Sequence, residues 1–269
     1  MITGSVKTGS TEMEYFSFGS GSRRLIILPG IGVQKVRASA KGVETAYSCF
    51  EQGYTVTVFD RKNDLPQGCT IAQMADDTAL AMKALNIEKA DFFGASMGGM
   101  IAQTMAINHP SLVRSLVLGS TLSRPNDTVL NVSRNWISLA QKGDVTAMAE
   151  KMINLLYSEK LAAQLSSAAA LLFAGVTKAD LDWFIIQARA ISGFDVYDKL
   201  SLIHCPALVI GVENDGVVTA QASYELAEKL GCELYMYGGE YRHCVFDEAP
   251  DYKQRLMDFY NSIVCPVEM

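Results

Sequence analysis

Short apolar runs alternate along this chain with stretches whose apolar residues recur every three or four positions. The first run, Arg24-Leu25-Ile26-Ile27-Leu28, stops at Pro29-Gly30 and predicts a strand. Val43, Ala46, Tyr47 and Phe50 then follow helical spacing. Tyr54-Thr55-Val56-Thr57-Val58-Phe59 reads as a second strand ending at Asp60, and Ile71, Met74, Ala75, Thr78, Met82 and Leu85 trace the next helical face. Ala90-Asp91-Phe92-Phe93 is short and apolar enough for a buried strand, residues 97–107 form an almost wholly apolar helix, and Leu116-Val117-Leu118 is a further strand. The rhythm resumes with Ala207-Leu208-Val209-Ile210, a helix carrying Ser223, Leu226, Ala227 and Leu230 on one face, and a strand over 234–237. A last helix takes Pro250 in its first turn and buries Tyr252, Leu256 and Phe259.

Strands alternating with helices predict an α/β fold: a mostly parallel central sheet with helices on both faces. Such sheets bind ligands beyond the carboxyl ends of their strands. The alternation breaks between 122 and 203, where Trp136, Leu139, Ala140; Met152, Leu155, Leu156; and Leu181, Phe184, Ile185 keep helical periodicity with no clear strand. We therefore expect a core of residues 1–121 and 204–269 and an inserted helical cap of residues 122–203 that covers the strand ends. The aromatic and methionine residues of the cap read as its own core.

Composition narrows the classes. With 49% of 269 residues apolar, a large core can form without disulfides or metals. The net charge of −6 and the lack of any Lys/Arg block argue against a nucleic-acid partner. No apolar run approaches a membrane span, and the first dozen residues hold no signal-like stretch. The six cysteines (Cys49, Cys69, Cys205, Cys232, Cys244, Cys265) are scattered with no C-x-x-C pair, as expected of reduced thiols. The expectation is a cytoplasmic protein with a small-molecule partner, no membrane association, and no cofactor or metal.

The chemistry concentrates at Phe92-Phe93-Gly94-Ala95-Ser96-Met97-Gly98-Gly99-Met100. Gly94-x-Ser96-x-Gly98 between a strand and a helix is the pattern of a nucleophilic serine on a strained turn, backed by a helix N-terminus. Side chains two before and two after the serine would crowd such a turn. A serine hydroxyl needs a base, usually histidine, and only three histidines exist. His109 lies at the far end of the serine's helix, and His204 precedes its strand, at the wrong sheet edge. His243 follows the last strand and Gly238-Gly239, at the correct edge, and is the expected base. The acid that orients it falls in Gly211-Val212-Glu213-Asn214-Asp215-Gly216: Asp215 by preference, Glu213 as the alternative. The strand over 116–118 ends in Gly119-Ser120-Thr121 without a carboxylate. The amides of Met97 and, in the turn Pro29-Gly30-Ile31-Gly32, of Ile31 are the expected donors to a developing oxyanion.

Leu28-Pro29-Gly30-Ile31-Gly32, Gly94-Ala95-Ser96-Met97-Gly98-Gly99, Asp215 and His243 together resemble the α/β-hydrolase superfamily. The likeness is to its small members with a helical cap between the sixth and seventh core strands, and it runs from about Tyr15 to Tyr260. It implies a triad of Ser96, Asp215 and His243, with Ile31 and Met97 as oxyanion-hole amides. Three departures stand out. Pro29-Gly30 replaces a common His-Gly, and Asp60-Arg61-Lys62-Asn63-Asp64-Leu65-Pro66 lacks the glycines of the common Asp-x-Arg-Gly-x-Gly-x-Ser. Arg242 stands where glycine is common, either solvated or selecting an anionic substrate. A serine at the elbow argues against the aspartate-dependent dehalogenases and epoxide hydrolases. The expected activity is hydrolysis of a small acyl substrate, a carboxylic ester first, through an acyl-enzyme. Acyl transfer, perhydrolysis, carbon–carbon bond hydrolysis and non-catalytic binding remain as alternatives.

Overall fold

A computed structural model of the chain describes residues 1–8, 11–169 and 173–263, which leaves Cys265 outside the described residues. Its strands are β1 (Ile2–Thr8), β2 (Thr11–Phe18), β3 (Arg23–Leu28), β4 (Tyr54–Lys62), β5 (Ala90–Ala95), β6 (Val113–Gly119), β7 (Ala207–Val212) and β8 (Glu233–Tyr237). They form one eight-stranded sheet in the order β1-β2-β4-β3-β5-β6-β7-β8. β1 and β2 pair antiparallel, as do β2 and β4; every other pairing is parallel.

The two-residue period of the strands sorts their side chains into two apolar layers. Leu25, Ile27, Val56, Val58, Phe93, Val117, Leu208 and Ile210 pack with Phe50, Tyr252, Leu256 and Tyr260 on one side. Ile26, Leu28, Phe92, Leu116, Leu118 and Val209 pack with Met74, Met82, Met97, Met105 and Leu226 on the other. The covering helices are α1 (Ala40–Ala46), α2 (Ile71–Ala84), α3 (Met97–Asn108), then, after an interval, α8 (Ala220–Leu230), α9 (Val245–Glu248) and α10 (Tyr252–Ser262). Between β6 and β7 run α4 (Asp127–Lys142), α5 (Val145–Leu156), α6 (Glu159–Ser166) and α7 (Lys178–Ser192), with no strand among the described residues there. Helix starts are fixed by side chains: Thr70 and Gln73 form a capping box on α2, and Thr177 and Asp180 one on α7. No helix of the described residues is long and apolar enough to cross a membrane.

Local departures from the sequence pattern have physical reasons. The N-terminal hairpin of β1 and β2 was not anticipated, since its alternating Thr, Ser, Lys and Glu suit an edge with one wet face. β4 continues past Asp60 to Lys62, because both buried charges find backbone partners: Val36 N–H donates to Asp60 Oδ2 (2.8 Å), and the Arg61 guanidinium donates to the Pro29 carbonyl (2.9 Å). The stretch around Val43–Phe50 is one short helix followed by a 3-10 turn at Ser48–Phe50. α10 begins at Tyr252, so Pro250 precedes it rather than sitting in its first turn. Its buried face is Tyr252, Leu256 and Tyr260, four residues apart, while Phe259 is half-buried.

Candidate active site

Ser96 joins the last residue of β5 to the first of α3 with φ 53° and ψ −121°. That backbone is costly for a side-chain-bearing residue and persists only where its surroundings over-determine it. Three ties do so here. Ser96 N–H donates to the Gly119 carbonyl (2.9 Å), the Thr121 hydroxyl donates to the Ser96 carbonyl (2.7 Å), and Gly99 N–H donates to that same carbonyl (2.9 Å). The flanking glycines answer to close backbone approach. A Cβ on Gly94 would lie 2.5 Å from the Gly98 carbonyl oxygen, and one on Gly98 would overlap the Leu28 carbonyl of β3. Thr121 was legible in the sequence only as a position lacking a carboxylate.

The three expected side chains converge at the carboxyl edge of the sheet. Ser96 Oγ lies 2.9 Å from His243 Nε2, and His243 Nδ1 lies 2.9 Å and 3.0 Å from the two Asp215 carboxylate oxygens. All three residues are buried, His243 at 2% exposure. Burial alone would raise the Asp215 carboxyl, but His243 and the amides of Val218 and Val217 outweigh it and hold the group below its ordinary value. Glu213 is drawn elsewhere: it is exposed and accepts from the Tyr224 hydroxyl (2.7 Å). His109 pairs with Asp76 at 2.8 Å, and His204 is exposed.

Met97 is the first residue of α3, so its N–H has no carbonyl of its own helix to bond. The turn carrying Ile31 approaches from β3: a Cβ on Gly30 would lie 3.2 Å from Ser96 Cβ and 3.8 Å from its Oγ. The carbonyls of this turn are held from behind. Buried Arg61 donates to those of Pro29 and Gly30, and Gln187 Nε2 of α7 donates to that of Gly32 (3.2 Å). Neither residue was anticipated; the available signal was a charged pair continuing a buried strand.

The segment joining α5 to α6 is tied to the loop that carries His243. Cys244 N–H donates to the Leu156 carbonyl (2.8 Å), Ser158 N–H to Glu248 Oε1 (2.9 Å), and the Tyr157 hydroxyl to Asp247 (3.2 Å). Arg242 joins this set. Its guanidinium donates to the Asn154 carbonyl and lies 3.4 Å from Glu159, so it is engaged with the helical segment rather than left free in solvent.

The sequence profile described as alpha/beta hydrolase fold matches residues 24–250. A protein named "Putative carbamate hydrolase RutD" from Rhizobium rhizogenes strain K84 is 30% identical over 175 residues, 62% of this chain. The match spans 64% of that relative, just under two thirds of its length. Among solved structures, the alpha/beta hydrolase enzyme MGS-M2 from a Medee basin deep-sea metagenome library superposes with a TM-score of 0.87 at 19% identity. It covers 99% of this chain and 100% of its own. The enol-lactonase from Burkholderia xenovorans LB400 gives 0.82 at 21% identity, over 96% of this chain and 100% of its own. At such identities these two speak to the fold.

Proposed function

The chain belongs to the alpha/beta hydrolase fold family, and from that premise we propose that it is a serine hydrolase of small acyl substrates, carboxylic esters first among them. The observation that carries this reading is the continuous line from Ser96 Oγ through His243 to Asp215, each step within 3.0 Å. His243 Nε2 takes the hydroxyl proton as Ser96 Oγ bonds to the substrate carbonyl carbon. Asp215 holds the Nδ1–H tautomer and stabilises the imidazolium. The negative charge on the carbonyl oxygen meets the amides of Ile31 and Met97, and a donor of this kind is worth about 3–4 kcal/mol of barrier. Collapse expels the alkoxide, which takes the proton from His243 and leaves acyl-Ser96. Water, deprotonated by His243, then attacks the acyl carbon and releases the acid and the free serine.

Residues 122–203 serve in this reading as a lid. Support comes from their contacts with both sides of the site, Gln187 to the Gly32 carbonyl and Leu156 to Cys244. The name of the relatives brings carbamate substrates into consideration, since a carbamate presents the same acyl carbon to the serine.

A fluorophosphonate probe followed by peptide mapping tests the nucleophile, and a panel of p-nitrophenyl esters and carbamates tests the substrate class. We expect labelling at Ser96 and ester turnover that disappears in Ser96→Ala. Labelling at another residue, or turnover that survives Ser96→Ala, would falsify the proposal.

A further inference from the structure

Arg61 is 5% exposed, and among the described residues no carboxylate oxygen lies within 4.0 Å of its guanidinium. A buried cation without a close counter-ion is expensive, so its position calls for a reason. Burial pulls the guanidinium down to about 10 against the favourable field of Asp60, which leaves it charged at neutral pH. Its partners are two carbonyl oxygens, those of Pro29 and Gly30. The peptide unit from Gly30 to Ile31 is planar and trans, so its carbonyl oxygen and its N–H point in opposite directions. Whatever fixes the Gly30 oxygen therefore aims the Ile31 N–H. A charged donor on that oxygen also polarises the unit and makes the N–H a stronger donor.

We propose that Arg61 is a positioning residue for catalysis, acting through the Gly30–Ile31 peptide to orient and strengthen the Ile31 amide that receives the oxyanion. The inference deepens the hydrolase reading and rests on Ile31 serving as that donor. Asp60 completes the arrangement, since its carboxylate accepts from Val36 N–H (2.8 Å) and fixes the far end of the same loop.

The test must separate loss of oxyanion stabilisation from loose folding. A thionoester does so, because its sulfur accepts hydrogen bonds poorly and profits little from the oxyanion amides. The kcat/KM values of p-nitrophenyl acetate and its thionoacetate analogue are measured for the parental protein, Arg61→Lys and Arg61→Gln, with near-ultraviolet circular dichroism to confirm folding. We expect the ester-to-thionoester ratio to fall at least tenfold in Arg61→Gln through kcat, with KM little changed. Arg61→Lys, which keeps the charge and can reach one carbonyl, should recover part of it. If Arg61→Gln does not fold, the lysine variant carries the same ratio. A ratio within twofold of the parental value in the folded variants overturns the proposal. Parental protein without Ser96-dependent ester turnover overturns the hydrolase reading itself, and this inference with it.

Discussion

Asp215 concentrates the electrostatics of the site in one buried carboxylate. Burial disfavours its charge, while His243 and two loop amides more than offset that and keep its carboxyl below the ordinary value near 3.8. A depressed folded value means the carboxylate contributes stability above the unfolded pKa and loses it as pH falls through the folded one. The stability advantage of the parental protein over Asp215→Asn in urea unfolding is therefore expected to shrink as pH falls below about 4. The same substitution reverses the hydrogen-bond preference at Nδ1 and should lower kcat by about 10⁴. Glu213→Gln should leave kcat near parental, because Glu213 faces Tyr224 at the surface. The opposite ranking of the two variants would move the acid to Glu213. At this scale the sequence was most legible where chemistry restricts residue type: few histidines, one serine between spaced glycines, and acids confined to one loop. Arg61 and Gln187 were hidden, because a charged or amide side chain reads as solvated until its burial is known.

Elements decide where these residues can sit. A parallel strand aligns its carboxyl end with its neighbours', which brings Ser96 after β5, Thr121 after β6 and Asp215 after β7 to one edge. The opposite edge is pinned separately. Asp91, fully buried at the start of β5, accepts from Ser115 Oγ of β6 (2.7 Å), Arg23 of β3 (3.1 Å) and Arg114 (3.4 Å). Asp91→Ala would leave a buried hydroxyl unpartnered and take the shared carboxylate from two guanidinium groups, a loss of about 3 kcal/mol. Five residues of strand put that change roughly 16 Å from Ser96. Urea unfolding should record the lost stability while kcat of the folded variant stays near parental. A comparable fall in kcat would show that strain travels along β5. Strand and helix identities in the parallel region were legible because the buried strands carry short apolar runs, Phe92-Phe93 in β5 and Leu116-Val117-Leu118 in β6. The β1–β2 hairpin escaped because β1 is a largely polar edge strand and a register shift between Met13 and Tyr15 interrupts the alternation of β2.

The whole molecule joins its helical segment and its sheet through one apolar layer. Leu28, Phe59 and Met97 of the sheet side belong to the same buried cluster as Trp136, Met148 and Phe184 of the helices between β6 and β7. Polar contacts reinforce the joint, with Trp183 Nε1 donating to the Lys62 carbonyl (2.9 Å) and Lys35 Nζ lying 3.5 Å from the Trp183 ring centroid. Shared packing of this kind couples the two parts into one cooperative unit, because neither can lose its partner without exposing apolar surface. The chain has two tryptophans, Trp136 and Trp183, and both lie buried in the helical segment. Their fluorescence therefore follows that segment and its joint with the sheet, whereas circular dichroism in the far ultraviolet follows all the helices and the proposed ester turnover follows the sheet edge. In a urea titration the three signals should share one midpoint and one slope. A fluorescence transition at clearly lower urea, with turnover and most ellipticity retained, would mean that the helices between β6 and β7 open independently. The aligned side chains of Ser96, His243 and Asp215 would then owe their alignment to the sheet alone.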